Sequence, residues 1–205
     1  MPEVLEIERR YRPFKEFRIE GDAQNPKIIG YPIMFNQLSD DLGGFREQID
    51  NRTFDRNLSE IRAGNRNVYA LFNHDALWAL ADIESGRLKL TKDDNGIHME
   101  AEPVVTPLND HVIKLIAAKV IKRMSFGFLM VKDTWNSSNP KRIIRTLLDA
   151  DLLDVSPVTF PAYPQTSVKV RDYINALKEL DEKGTLIPSE SNLEKLRLNY
   201  GYKIK

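Results

Sequence analysis

Two hydrophobic periodicities alternate along this 205-residue chain, and together they predict strands arranged around a single internal helix. Apolar runs between Phe17 and Phe35 are broken by the turn-forming Gly21-Asp-Ala-Gln-Asn-Pro26, which predicts an opening hairpin. A second hairpin is marked more strongly: Arg87-Leu-Lys-Leu-Thr91 and Ile97-His-Met-Glu-Ala101 alternate in polarity, and Asp93-Asp-Asn-Gly96 separates them. Helical spacing takes over after Thr106-Pro107, where Val112, Leu115, Ile116 and Val120 recur across Leu108 to Lys122.

Period two returns at Met124 to Val131. Met124, Phe126, Phe128 and Met130 share one face, which predicts core, and leave Ser125 and Gly127 on the other. Residues 133–141 read as a polar loop and Arg142 to Val155 as the returning strand. In that strand Leu148, Ala150, Leu152 and Asp154 fall on one face, with Asp149 and Asp151 opposite. Elsewhere, Asn36 to Asn51 reads as an Asp- and Gly-rich loop, and Arg52 to Gly64 as a short helix with Thr53 as cap. The apolar run Val68 to Phe72 leads to His74. Beyond Pro164 the pattern predicts a strand over Ser167 to Val170, a helix over Tyr173 to Glu182 and a linker with a short amphipathic helix near Leu193 to Leu198. The class is α+β: a strand-rich small β-barrel with a central helix and peripheral C-terminal helices. Residues 1–170 form the expected main domain and 171–205 a tail.

Thirty basic residues offset thirty acidic ones, so no overall field draws the chain to nucleic acid or an anionic membrane, and neither is expected as a partner. The absence of cysteine excludes disulfides, thiolate metal ligands and a cysteine nucleophile. The first residues lack the unbroken apolar stretch of a signal peptide, which predicts a cytoplasmic product. Asp93-Asp94 lacks the spaced ligands of a calcium loop, and His74 has no second histidine at metal-binding spacing. No metal and no cofactor is therefore expected.

Hydrolytic chemistry is the remaining candidate. Of the three histidines, His98 lies in an alternating strand and His111 early in the helix, whereas His74 ends an apolar run, where a core strand meets a loop. Ser125 shares its face with Gly127, leaving room for a substrate backbone and for amides such as that of Gly127 to bind an oxyanion. Asp154 on an apolar face calls for a partner, and a histidine ring would serve. Each residue also has a plainer reading: Ser125 as a structural serine, His74 as a strand-end cap, Asp154 as a cap on the turn that follows it.

Three segments carry a resemblance that bears on this choice. Ala70-Leu-Phe-Asn-His-Asp75, Arg123-Met-Ser-Phe-Gly-Phe128 and Asp154-Val-Ser-Pro-Val-Thr-Phe-Pro-Ala-Tyr-Pro164, preceded by Gly30-Tyr-Pro-Ile-Met-Phe-Asn36 and Leu42-Gly-Gly-Phe-Arg-Glu47, resemble in order the prohead (procapsid maturation) proteases of tailed bacteriophages. That family in turn looks like the herpesvirus assemblin serine proteases. The resemblance spans Ile28 to Val170 and implies a serine endopeptidase with His74, Ser125 and Asp154 as catalytic residues, although the family's acid is more often glutamate. A second departure is Trp78-Ala-Leu-Ala-Asp82, where relatives usually carry a glycine-containing turn. The resemblance further implies action inside the assembling procapsid in the bacterial host cytoplasm. The implied partners are the major capsid protein and scaffold segments, with self-association and autocleavage, the tail serving as tether or cleaved extension. The competing expectation is a non-catalytic capsid scaffold or assembly protein that keeps the fold.

Overall fold

The computed structural model describes residues 7–12, 17–22, 24–139 and 142–159. In chain order the elements are β1 (Ile7–Arg12), β2 (Arg18–Glu20), β3 (Lys27–Met34), β4 (Arg46–Ile49), α1 (Asp55–Arg62), β5 (Tyr69–Phe72), β6 (Asp75–Asp82), β7 (Leu88–Lys92), β8 (Gly96–Ala101), α2 (Pro107–Ala117), β9 (Arg123–Asn136) and β10 (Ile144–Val158). They build a strand-rich α+β fold with two helices among the described residues. The strands form two sheets that curl as a half-barrel: β2-β3-β8-β7, and β1-β9-β10-β5-β6 with β4 also paired to β10. The predicted C-terminal strand and helices lie outside the described residues.

Both predicted hairpins form. Asp93 Oδ1 accepts the N–H groups of Asn95 (2.8 Å) and Gly96 (3.0 Å) to close the β7–β8 turn. A Cβ on residue 96 would fall 1.9 Å from the Ile33 carbonyl oxygen, so the cross-strand approach of β3 demands glycine there. In α2, Thr106 Oγ1 accepts the Asn109 N–H at 3.1 Å and Pro107 occupies the first turn, as the sequence predicts. The helix stops at Ala117 instead of Lys122, because Lys119 turns the chain through a left-handed backbone (φ 57°) and leaves Val120 exposed. Thr53 does not cap α1. Its hydroxyl reaches the carbonyls of Asp50 (2.8 Å) and Leu147 (2.7 Å), tying the approach to α1 onto β10.

The supposed loop 36–51 contains β4, which runs parallel to the first part of β10. No apolar alternation announces it, since buried Glu47 sits where a hydrophobic residue would be expected. The long β9–β10 ribbon is the spine of the molecule. Its apolar face, with Met124, Phe126, Phe128, Leu147, Leu152 and Val155, meets Ile28, Ile33, Ile97 and Met99 of the second sheet in one core. Phe54, just before α1, closes over Phe126 edge to face, with ring centres 6.3 Å apart.

Candidate active site

Three neighbouring strands of one sheet bring the site together. β9 contributes Ser125 and β10 contributes Asp154, while the β5–β6 turn carries His74 between them. Phe72 pairs with Asp75, so Asn73 and His74 are the whole turn, and both have positive φ (55° and 59°). That is the geometry of a tight hairpin whose twist matches its strands, and asparagine and histidine tolerate it better than most side chains. Asn73 fastens the turn to the end of β10: its N–H donates to the Pro157 carbonyl (3.0 Å), its Oδ1 accepts the Thr159 N–H (2.9 Å), and its Nδ2 donates to Thr159 Oγ1 (3.3 Å). The ring of His74 is thus aimed by the turn and its clamp.

Asp154 reaches the site through a bulge. Leu152 pairs with Phe128, Asp154 with Gly127 and Val155 with Phe126, leaving Leu153 as an extra residue in β10. Uninterrupted alternation would put Asp154 on the face of Leu152. The bulge corrects that expectation: it reverses the parity and sends the carboxylate to the face of Ser125. Asp149 and Asp151 are engaged elsewhere, by Arg56 of α1 and, for Asp151, by Arg66 as well.

The resulting relay is short. His74 Nδ1 lies 2.6 Å from Asp154 Oδ1, and His74 Nε2 lies 2.6 Å from Ser125 Oγ. With the ring's Nδ1–H donating to the carboxylate, which has no proton of its own to offer, Nε2 is left with a lone pair facing the hydroxyl. The His74 and Asp154 side chains are 6% and 8% exposed, so water competes little for either bond. Among the described residues no group of His, Asp and Glu side chains is disposed to hold a metal ion.

Three partners of the relay were not visible in the sequence reading. Ser156 Oγ, fully buried, donates to Asp154 Oδ1 at 2.6 Å. Counting two residues on from Asp154 along the same strand would have found it. Asn73 is the second, signalled only by an Asn-His pair at the end of an apolar run. The third is a backbone group, the Arg10 carbonyl, 2.9 Å from Ser125 Oγ; no side-chain pattern reports such a contact. Gly127 has a steric part that was also unforeseen. A Cβ there would lie 2.2 Å from Asp154 Oδ2, so the missing side chain is the space the carboxylate occupies. The residue is paired with Arg9 on one flank and Asp154 on the other, within the ladder of β1, β9 and β10.

A hydroxyl, an imidazole and a carboxylate in this order and at these distances make up the relay of the serine hydrolases. The comparison with protein families is more specific: the model described as Caudovirus prohead serine protease matches residues 13–179, and the chain belongs to that family of peptidases. Among solved structures, the capsid assembly protease gp21 of bacteriophage T4 is similar over 77% of this chain and 98% of its own, at 13% identity and a TM-score of 0.47. No curated protein matches by sequence.

Proposed function

We propose that the chain is a prohead maturation endopeptidase in which Ser125 is the nucleophile, His74 the general base and Asp154 the group that orients and stabilises the imidazole. Its substrates are extensions of the capsid protein or scaffold inside the procapsid, and its own termini are a further target. The observation that carries this reading is the unbroken hydrogen-bonded line from Asp154 through His74 to Ser125. In the first half-reaction His74 Nε2 takes the Ser125 proton as Oγ adds to the peptide carbonyl; the imidazolium then protonates the departing amine, leaving an acyl-enzyme. Water, deprotonated by the same nitrogen, attacks the ester, and the imidazolium then gives that proton to Oγ as the acid product leaves. No side chain with a competing role is needed at any step.

The experiment is coexpression of the full chain with its capsid protein, followed by mass spectrometry of the new termini. Ser125→Ala removes one oxygen from a packed site and is expected to leave the fold intact while lowering processing by about 10⁴-fold or more. Undiminished cleavage in that variant would exclude Ser125 as the nucleophile.

A further inference from the structure

Ser125 has no exposed surface at all, a condition in which a hydroxyl cannot meet a peptide. On one flank of its strand lies β1, antiparallel to β9, with Tyr11 opposite Ser125 and Arg10 opposite Phe126. The single proton of the hydroxyl has two acceptors in reach, the Arg10 carbonyl at 2.9 Å and His74 Nε2 at 2.6 Å. Given to the carbonyl, it is withheld from the base, and the lone pair of Nε2 is left without the hydroxyl's proton. Given to Nε2, it is ready for transfer. Only the second arrangement leads to attack.

From this competition we infer that β1 is an autoinhibitory strap, which must shift before a peptide can reach Ser125. The inference rests on Ser125 being the nucleophile, as proposed above. The way β1 is held suits a part that detaches. None of its described side chains belongs to the apolar core, and Ile7 is 51% exposed. What fixes it, besides the backbone ladder, is ionic: Arg10 donates from Nε and Nη2 to the two carboxylate oxygens of Glu47 (2.8 and 2.9 Å), and Glu8 accepts from Arg145 Nη1 and Nη2 (2.6 and 2.9 Å). The body of the protein stays compensated when these partners leave. Arg145 also reaches Glu47 Oε2 (3.2 Å) and Asp133 Oδ2 (2.7 Å), so neither is stranded as a lone buried charge. Lifting β1 therefore breaks ion pairs, a ladder and the contact of Arg10 with the Phe128 ring, while none of the described hydrophobic core residues lies on the departing strand.

The absence of cysteine makes a clean test available. Ile7→Cys with Leu129→Cys puts the only two thiols on paired positions of β1 and β9 in the full-length chain. Reaction of Ser125 with a fluorophosphonate probe, located by mass spectrometry, reports access to the hydroxyl without knowledge of the substrate. Oxidation is expected to slow labelling by roughly tenfold or more, with reduction restoring it, because closing the bond removes the lifted state from the equilibrium. Equal rates in the oxidised and reduced forms would overturn the strap while leaving the nucleophile in place. Should the pair not oxidise, full-length Glu8→Gln decides: labelling several-fold faster than wild type supports the strap, and an unchanged rate overturns it. A folded protein that gives no adduct at residue 125 in any form takes down the nucleophile and the strap together.

Discussion

Two buried polar clusters flank β9, and they are built on opposite terms. One joins Glu8, Arg10, Glu47, Asp133 and Arg145; the other joins His74, Ser125, Asp154 and Ser156. Glu8 and Arg10 pair with Phe128 and Phe126, so strand alternation directs them to the apolar face, and the Arg10 guanidinium sits 5.5 Å from the centre of the Phe128 ring. There, permanent charges answer one another several times over. In the second cluster a single mobile proton has more acceptors than it can satisfy at once. The first arrangement holds a strand still, whereas the second keeps a proton transferable. Burial strengthens both, since each is shielded from water, but only redundancy of partners makes a cluster rigid.

The sharpest way to break the contrast is to spoil the proton line while leaving every heavy atom in place. Asp154→Asn replaces the carboxylate by an amide that donates as readily as it accepts, so the ring loses its reason to keep Nδ1 protonated and Nε2 free. A loss of about 10⁴-fold in fluorophosphonate labelling is expected, with the denaturation midpoint close to wild type. Gly127→Ala comes next. Alanine suits a strand better than glycine by about 0.5–1 kcal/mol, yet its Cβ would claim the position of Asp154 Oδ2, so the carboxylate must leave its bonds to His74 and Ser156. Labelling should fall roughly a hundredfold, about 3 kcal/mol in the barrier. A fully active Gly127→Ala would mean that Asp154 is not needed where it stands.

How far the sequence foretold these two regions differs for a physical reason. Both hairpins, the cap of α2 and the core face of β9 follow from apolar periodicity and turn chemistry, and His74 and Ser125 stood out by their places on that frame. β1 and β4 did not, because Glu8, Arg10 and Glu47 are buried as ion pairs and a hydrophobic pattern is blind to charges that solvate each other. The face of Asp154 was misread for another reason: the bulge at Leu153 depends on how β10 pairs with β9, and Leu152-Leu153-Asp154 contains no glycine or proline to mark it. The Arg10 carbonyl, being backbone, was legible in no side chain.

The charged cluster has its own test, through pH. Burial alone would raise the Glu8 carboxyl, but Arg145 and then Arg10 outweigh it and hold it at about 2, below an ordinary value of 4.5. A carboxylate lowered on folding stabilises the native state fully above its unfolded value, and that contribution disappears as pH falls from about 4.5 towards 2, some 3 kcal/mol in all. Wild type and Glu8→Gln should therefore differ most in denaturant midpoint near pH 6 and draw together as pH falls towards 2, with amide exchange in β1 rising over the same interval. A gap that stays constant across that range would show that Glu8 contributes by shape and not by charge.

The smallest expected effect is at Ser156, and it separates the two clusters most finely because it asks whether the triad tolerates losing a partner as the ion network does. Its hydroxyl shares Asp154 Oδ1 with His74. Ser156→Ala removes a bond that disperses the carboxylate charge; the undispersed charge grips the imidazolium more tightly and makes the proton harder to remove from the ring. Two consequences follow with fixed signs. Labelling at neutral pH should drop by roughly tenfold or less, in line with the 1.5–3 kcal/mol of a bond to a charged group, partly recovered by the strengthened bond to His74. The acid limb of the pH–rate profile should move upward, since the base must be free of its proton to act. Ser156→Thr keeps the hydroxyl and should restore the wild-type limb even if its extra methyl group lowers the rate. If alanine and threonine lose activity equally with the limb unmoved, Ser156 fills space beside Asp154 and does not tune it.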